Sequence, residues 1–331
     1  MSETIRQPST FDCAGTPMYL PTRRQMLQQS TAMATAWLLT PAAVRAADQI
    51  PGSCTLGFST YGMKTLKTEE AIRQVADIGF DAIEIAVRPD WDSAPGNMPS
   101  DRRTAVGRQL KESGLKLTSL MEHMEPSPSD DEHRKHLIRL AEVCELAAAW
   151  STGAKPLVQT TLGGGEWEKK KEFYRDRVGD WLEVAKEQEV VLAIKPHRGG
   201  GMSRPSEAVW LIQQLGNSKW LRMVYDYSHY AFRNLPLEDT IKTALPYTAH
   251  IAVKDPVQQG DRVVFDLPGT HGTVDFPLLF RKFYDGGYRG DMSCEVSGMV
   301  WSKPDYDPIE GAKRCYSAMA KAFHASGVPR G

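Results

Sequence analysis

The chain has almost no net charge: 40 Lys and Arg stand against 41 Asp and Glu, a formal charge of −1. Proteins that grip nucleic acid or an anionic membrane surface carry a basic excess, so neither partner is expected. Cysteine is scarce, with five in 331 residues, and none forms a CxxC pair. That argues against zinc-ribbon and thioredoxin-type chemistry. No GxGxxG follows the first apolar run, which removes the usual sign of a dinucleotide-binding turn. Long hydrophobic runs are also missing. The stretch from Ala32 to Val44 is too short to span a bilayer comfortably and contains Pro41. No membrane span is expected in the mature protein.

What is present begins with Thr22-Arg23-Arg24-Gln25-Met26-Leu27, a twin-arginine pattern ahead of that apolar stretch. Val44-Arg45-Ala46 then offers small residues to a signal peptidase. Residues 1–46 therefore read as a twin-arginine-type signal peptide, and the protein as periplasmic. The alternative is a basic tail with a chance arginine pair. The remainder, 47–331, is close to the roughly 250 residues of one (β/α)8 barrel. It keeps Cys54, Cys144, Cys294 and Cys315. Cys54 and Cys294 fall in the first and last expected strands, which become neighbours if a barrel closes. A disulfide and a pair of buried thiols are the two alternatives there.

From Pro51 onward, short apolar runs alternate with amphipathic stretches, the pattern of a parallel sheet covered by helices. Strands are expected at 54–59, 81–87, 115–121, 155–160, 190–195, 221–226, 248–253 and 291–296. Helices are expected near 68–79, 101–113, 129–150, 167–188, 205–215, 237–244, 276–285 and 308–326. Thr68 ahead of Glu69-Glu70, Ser129 ahead of Asp130-Asp131-Glu132, and Pro205 all suit helix starts, and Gly216 suits a stop. Eight βα units without a break point to a closed α/β TIM barrel. A two-lobed doubly wound sheet is the alternative.

In such barrels the chemistry lies at the C-terminal ends of the strands. Those ends are polar here. They carry Glu122-His123, Gln159-Thr160-Thr161, Lys195-Pro196-His197, Asp226, Lys254-Asp255 and Glu295, with His229, His250 and His271 on the same strands or following loops. The runs Gly163-Gly164-Gly165 and Gly199-Gly200-Gly201 would let backbone N–H groups approach a ligand, or would simply flex. Trp91 and Trp167 are placed either to stack on a sugar ring or to pack as core.

These residues resemble the metal site of the xylose isomerase-like sugar isomerase/epimerase superfamily. GFDAIEI, with Glu84, looks like that family's second strand. DYSH, from Asp226 to His229, resembles its Asp-x-x-His. HIAVKD, from His250 to Asp255, is similar to its His-x-His-x-Lys-Asp, and SCEV supplies a last-strand glutamate, Glu295. The resemblance implies a divalent cation (Mn, Mg, Zn or Co) held by two Glu, one Asp and one His, polarising an open-chain sugar while the glutamates move a proton beside the carbonyl. Two of the four positions depart from it. Lys195 stands where the family has Glu, and Ala252 where it has His.

Asp226 and Glu295 would then be a partial metal site. The reading of the residues is that Lys195 replaces the cation, Glu295 or a histidine handles the proton, and His229 assists. His197, Lys254, His123, His271 and Trp167 are the candidate substrate contacts. A Schiff base at Lys195 would need a depressed pKa. The expected function is isomerisation or epimerisation of a sugar or keto-sugar. The alternatives are a keto-glycoside eliminase or lyase, and a catalytically silent carbohydrate-binding barrel. The expected partner is a small carbohydrate, and assembly into a homo-oligomer is left open.

Overall fold

The computed structural model describes residues 52–331. The signal segment expected over 1–46 lies outside the described residues. Eight parallel strands close into a barrel: β1 (Thr55–Ser59), β2 (Ala82–Ala86), β3 (Lys116–Met121), β4 (Leu157–Thr160), β5 (Leu192–Ile194), β6 (Leu221–Tyr225), β7 (Thr248–Val253) and β10 (Asp291–Cys294). Around the barrel they run β1-β10-β7-β6-β5-β4-β3-β2. All eight coincide with the expected strands to within two residues at each end. The chain is a TIM barrel.

The outer layer comprises α1 (Thr68–Ile78), α2 (Ser100–Ser113), α3 (Asp130–Ala149), α4 (Trp167–Glu187), α5 (Pro205–Gln214), α6 (Leu237–Ala244), α7 (Phe276–Asp285) and α9 (Pro308–Ser326), with a one-turn α8 (Gly298–Trp301) after β10. Ser129 Oγ accepts from the Glu132 N–H at the start of α3. At α1 the capping group comes from elsewhere. Thr68 opens the helix, but its N–H and hydroxyl donate to the Asp92 carboxylate at 2.9 and 2.8 Å. Among the described residues no helix is long and apolar enough to cross a membrane.

Alternation along each strand divides two environments. Outward residues such as Leu56, Phe58, Ile83, Ile85, Leu192 and Ile194 join the large core under the helices. Each such side chain contributes about 1.5–3 kcal/mol on burial. Inside the barrel the apolar filling is small, a cluster of Leu157, Ala193, Val224 and Ala252. The rest of the interior is polar. Asp291 accepts from the Thr55 and Thr118 hydroxyls at 2.7 and 3.2 Å, and a Cβ on Gly57 would lie 2.3 Å from its Oδ2.

Two details depart from expectation. A hairpin of β8 (Asp255–Gln259) and β9 (Arg262–Asp266) follows β7 directly and stands outside the barrel sheet. Its turn holds Gly260 at φ 59°, a conformation that favours glycine. The barrel register also opposes a Cys54–Cys294 disulfide. Cys294 pairs with Phe58, four residues beyond Cys54, an offset of roughly 13 Å along the strand. A disulfide bridges at most about 7 Å between Cα atoms. Both cysteines are buried free thiols.

Candidate active site

Four charged side chains meet at the strand ends. They come from adjacent strands in barrel order: Glu295 after β10, Lys254 after β7, Asp226 after β6 and Lys195 after β5. Their charges alternate around that arc. Lys254 Nζ lies 2.6 Å from Glu295 Oε1 and 2.5 Å from Asp226 Oδ2. Lys195 Nζ closes the ring, 2.5 Å from Glu295 Oε2 and 3.0 Å from Asp226 Oδ2. All four are buried. Isolated buried charges would cost several kcal/mol each, and the closed, neutral ring offsets that cost.

Electrostatics follow from the ring. Burial alone would raise the Glu295 carboxyl, but the Lys195 and Lys254 ammoniums outweigh it and hold it at about 2. The same contest, against Lys254 and Lys195, holds Asp226 well below the usual carboxylate range. Burial works against the Lys195 ammonium, yet Glu295 and Asp226 together raise its pKa. Lys195 is therefore firmly protonated, the opposite of what a Schiff-base amine requires.

Two histidines, His197 and His229, lie beside the ring, their centroids 4.1 Å apart and their planes tilted by 44°. His229 is buried. Its Nδ1 accepts the Arg198 backbone N–H at 3.2 Å, so its proton resides on Nε2, which points at Asp226 Oδ2 at 3.3 Å. Ser228 completes the support, donating its hydroxyl to Asp226 Oδ1 at 2.6 Å. His197 is different. Burial, then Lys195 and Lys254, push it down to about 4, so it is a neutral imidazole at pH 7. It faces the opening above the ring.

That opening is a cleft of about 60 Å³, with Tyr61, Arg88, His123, Lys195, His197 and Glu295 among its walls. Lys254, Asp226 and His229 lie beneath it, and Phe265 of the hairpin covers them, 5.0 Å from the His229 ring and 5.2 Å from Lys254 Nζ. His123 lines the cleft and bonds Thr161 Oγ1 and Glu125 Oε1, each at 3.2 Å. His271 lies elsewhere. Its Nε2 pairs with Asp266 at 2.9 Å, while its backbone N–H donates to Asp255 Oδ2 at 2.7 Å. Asp255 thereby ties down the loop 267–275. Trp167 packs edge-on against Trp210 and lines a wider groove of about 690 Å³ between α4 and α5, away from the ring. Volume favours that groove as a ligand site. Converging titratable groups favour the cleft, and chemistry needs those groups.

Below the ring, Glu84 receives the Gln159 amide and faces His250 Nε2 at 3.3 Å. Burial would raise Glu84, but His250 brings it to about 2. These two residues hold the floor of the site and do not reach the cleft. Sequence reasoning overlooked Tyr61 and Arg88. They follow β1 and β2, so the strand-end rule applied to the first two strands points to both.

A divalent cation does not fit this donor set. At the four positions where the resemblance places ligands stand Lys195, Asp226, Ala252 and Glu295. The Lys195 ammonium bridges the two carboxylates that a cation would need. Among the described residues no group of three or more His, Cys, Asp or Glu side chains is arranged to hold a metal ion.

Comparison with known proteins agrees with the architecture. The model of a family described as xylose isomerase-like TIM barrel matches residues 72–317. A curated human protein, "Putative hydroxypyruvate isomerase", is 23% identical over 270 residues, 71% of this chain and 88% of that protein. Among solved structures, 3-keto-D-glucoside 4-epimerase from E. coli superposes with a TM-score of 0.64 at 16% identity, covering 81% of this chain and 99% of that one. A xylose isomerase-like TIM barrel protein from Mycobacterium smegmatis, solved in complex with magnesium, gives 0.65 at 16% identity, covering 84% and 100%. At these identities the structural likeness is one of fold.

Proposed function

Because the chain belongs to the xylose isomerase-like TIM barrel family, we propose that it is a sugar isomerase or epimerase that moves a proton beside a carbonyl, with the Lys195 ammonium standing in for the metal. The observation that carries this reading is the ring itself. Lys195 spends two N–H groups on Glu295 and Asp226, and it also borders the cleft. An ammonium has three donors, so one remains for a substrate oxygen. A preorganised donor of that kind stabilises the negative charge that develops on oxygen as the neighbouring carbon loses its proton.

His197 supplies the base. Glu295, held at about 2 by two ammoniums, is the weaker base of the two, and His197 is the neutral imidazole bordering the cleft. His197 would take the proton from carbon, and the bonding electrons would move to the oxygen beside Lys195, giving an enediolate. Returning the proton to the neighbouring carbon, with the hydroxyl proton passing to the former carbonyl oxygen, completes an isomerisation. Returning it to the other face of the same carbon completes an epimerisation. His229, held by Asp226 and the Arg198 backbone, supports the His197 ring as a positioning residue.

The names of the human relative and of the E. coli structure support a carbohydrate-like substrate with a carbonyl. The twin-arginine pattern supports an exported, periplasmic enzyme that meets free rather than phosphorylated sugars. The test is solvent deuterium exchange into a panel of ketoses and keto acids. Label in the carbon next to the carbonyl supports the proposal. Ligand-induced thermal shifts without any label would favour a silent carbohydrate-binding barrel, a reading that the complete pairing of both carboxylates also suits.

A further inference from the structure

We infer that the substrate carries a carboxylate and that Arg88 receives it, an inference that rests on the cleft being the carbonyl site proposed above. The charges around the cleft cancel except at this residue. Lys195 and Lys254 are neutralised by Asp226 and Glu295. Glu122 is neutralised by Arg139 at 2.8 Å. Arg88 lines the same cleft and makes no ion pair with any described residue within 4 Å. Its Nε is buried with no hydrogen-bond partner. Buried donors are seldom left unpaired, so this cation in the cleft wall asks for an acceptor that the protein does not supply.

The guanidinium is also held ready. Its carbon lies 4.9 Å over the Trp91 ring and 5.5 Å over Tyr61, and those two rings stack at 17° with centroids 5.3 Å apart. Trp301 meets both edge-on. Stacking on aromatic faces orients a guanidinium without neutralising it, which leaves the planar donor fork for a planar anion. A carboxylate accepts two parallel N–H bonds from that fork. A dianionic phosphate would call for a second free cation, and the other cations bordering the cleft are spent. The cleft is small, about 60 Å³, so it suits the compact end of a short ligand. With the carbonyl at Lys195 and the anion at Arg88 in one small cleft, the substrate class is a short keto or hydroxy acid, or the acid end of a sugar acid.

The test uses binding of unreactive pairs, so it does not depend on turnover. Calorimetric titration compares glycerate with glycerol, and gluconate with glucitol, on the wild-type protein and on Arg88→Gln and Arg88→Lys. The expected result is that the wild type binds at least one acid about tenfold or more tighter than its neutral partner. Arg88→Gln erases that ratio by weakening the acid alone, and Arg88→Lys retains part of it. Equal affinity for acid and neutral partners in the wild type overturns the inference, as does no binding of either acid at 10 mM, on the order of the weakest useful affinity. An unchanged ratio in Arg88→Gln overturns it too. If Arg88→Gln melts early, Arg88→Lys carries the same comparison, and an unchanged ratio there has the same force. Absence of deuterium exchange alongside an intact Arg88-dependent ratio would overturn the proposed reaction and leave the carboxylate site standing.

Discussion

Lys195 Nζ lies 2.5 Å from Glu295 Oε2, joining two residues 100 positions apart in the chain, and this contact makes the site an ion ring. Removing the lysine should expose what the ring was offsetting. Lys195→Met leaves two buried carboxylates to share Lys254 alone. Breaking a buried pair by removing one partner typically costs about 3–5 kcal/mol, and the surviving Lys254 contacts put this case at the lower end. Urea denaturation at pH 7 measures the loss. A change below 0.5 kcal/mol, on the order of a neutral surface substitution, would mean the ring contributes nothing.

Metal binding should be recoverable by design. Lys195→Glu with Ala252→His installs the two donors that the resemblance lacks, and it removes the ammonium that blocks them. The double variant should bind Mn²⁺ with a measurable heat, while the wild type purifies without a stoichiometric divalent ion. A wild-type protein holding one tight metal ion per chain, lost in Asp226→Ala, would contradict the donor analysis.

Stability should fall on acidification in two overlapping stages. His197 has a folded pKa of about 4 against 6.5 unfolded, so between those values the unfolded chain binds more protons and stability drops as pH falls. Glu295 and Glu84, each at about 2 when folded against 4.5, extend the loss from about pH 4.5 downward. Asp291, which burial raises to about 6, works the other way and favours the fold as pH falls through 6. Denaturation midpoints from pH 8 to 4 should therefore flatten in His197→Asn and steepen in Asp291→Asn.

If His197 is the base, its substitution should separate chemistry from folding. His197→Asn should slow deuterium exchange by about 10²–10⁴-fold while leaving the melting temperature within a few degrees. In the wild type the acid limb of the exchange rate should lie near pH 4 rather than 6.5. A limb near 6.5 that persists in the variant would assign the proton to another group.

Much of this architecture was legible in the chain. Each barrel strand is a short apolar run closed by a polar residue, and Thr68, Ser129, Pro205 and Gly216 mark helix ends, so local physics carries most of the boundaries. The strand-end rule also found Lys195, Asp226, Lys254 and Glu295. It could not tell His197, which faces the cleft, from His271, whose side chain turns to Asp266. It could not place Trp167 beside Trp210 rather than beside the ring. Those distinctions depend on where loops fold back, and loop direction has no sequence period.

By itself the sequence determined the alternation of strands and helices, the inward polarity of the strand ends, and the replacement of two ligand positions by Lys195 and Ala252. Only the tertiary structure decided what those replacements do. Closing the barrel sets β5, β6, β7 and β10 side by side, so that two lysines and two carboxylates alternate and cancel, while His197 stays neutral and Arg88 stays unpaired above them. Charge pairing is a matter of a few ångströms in three dimensions, and residues as far apart as 195 and 295 acquire that distance only when the sheet closes on itself.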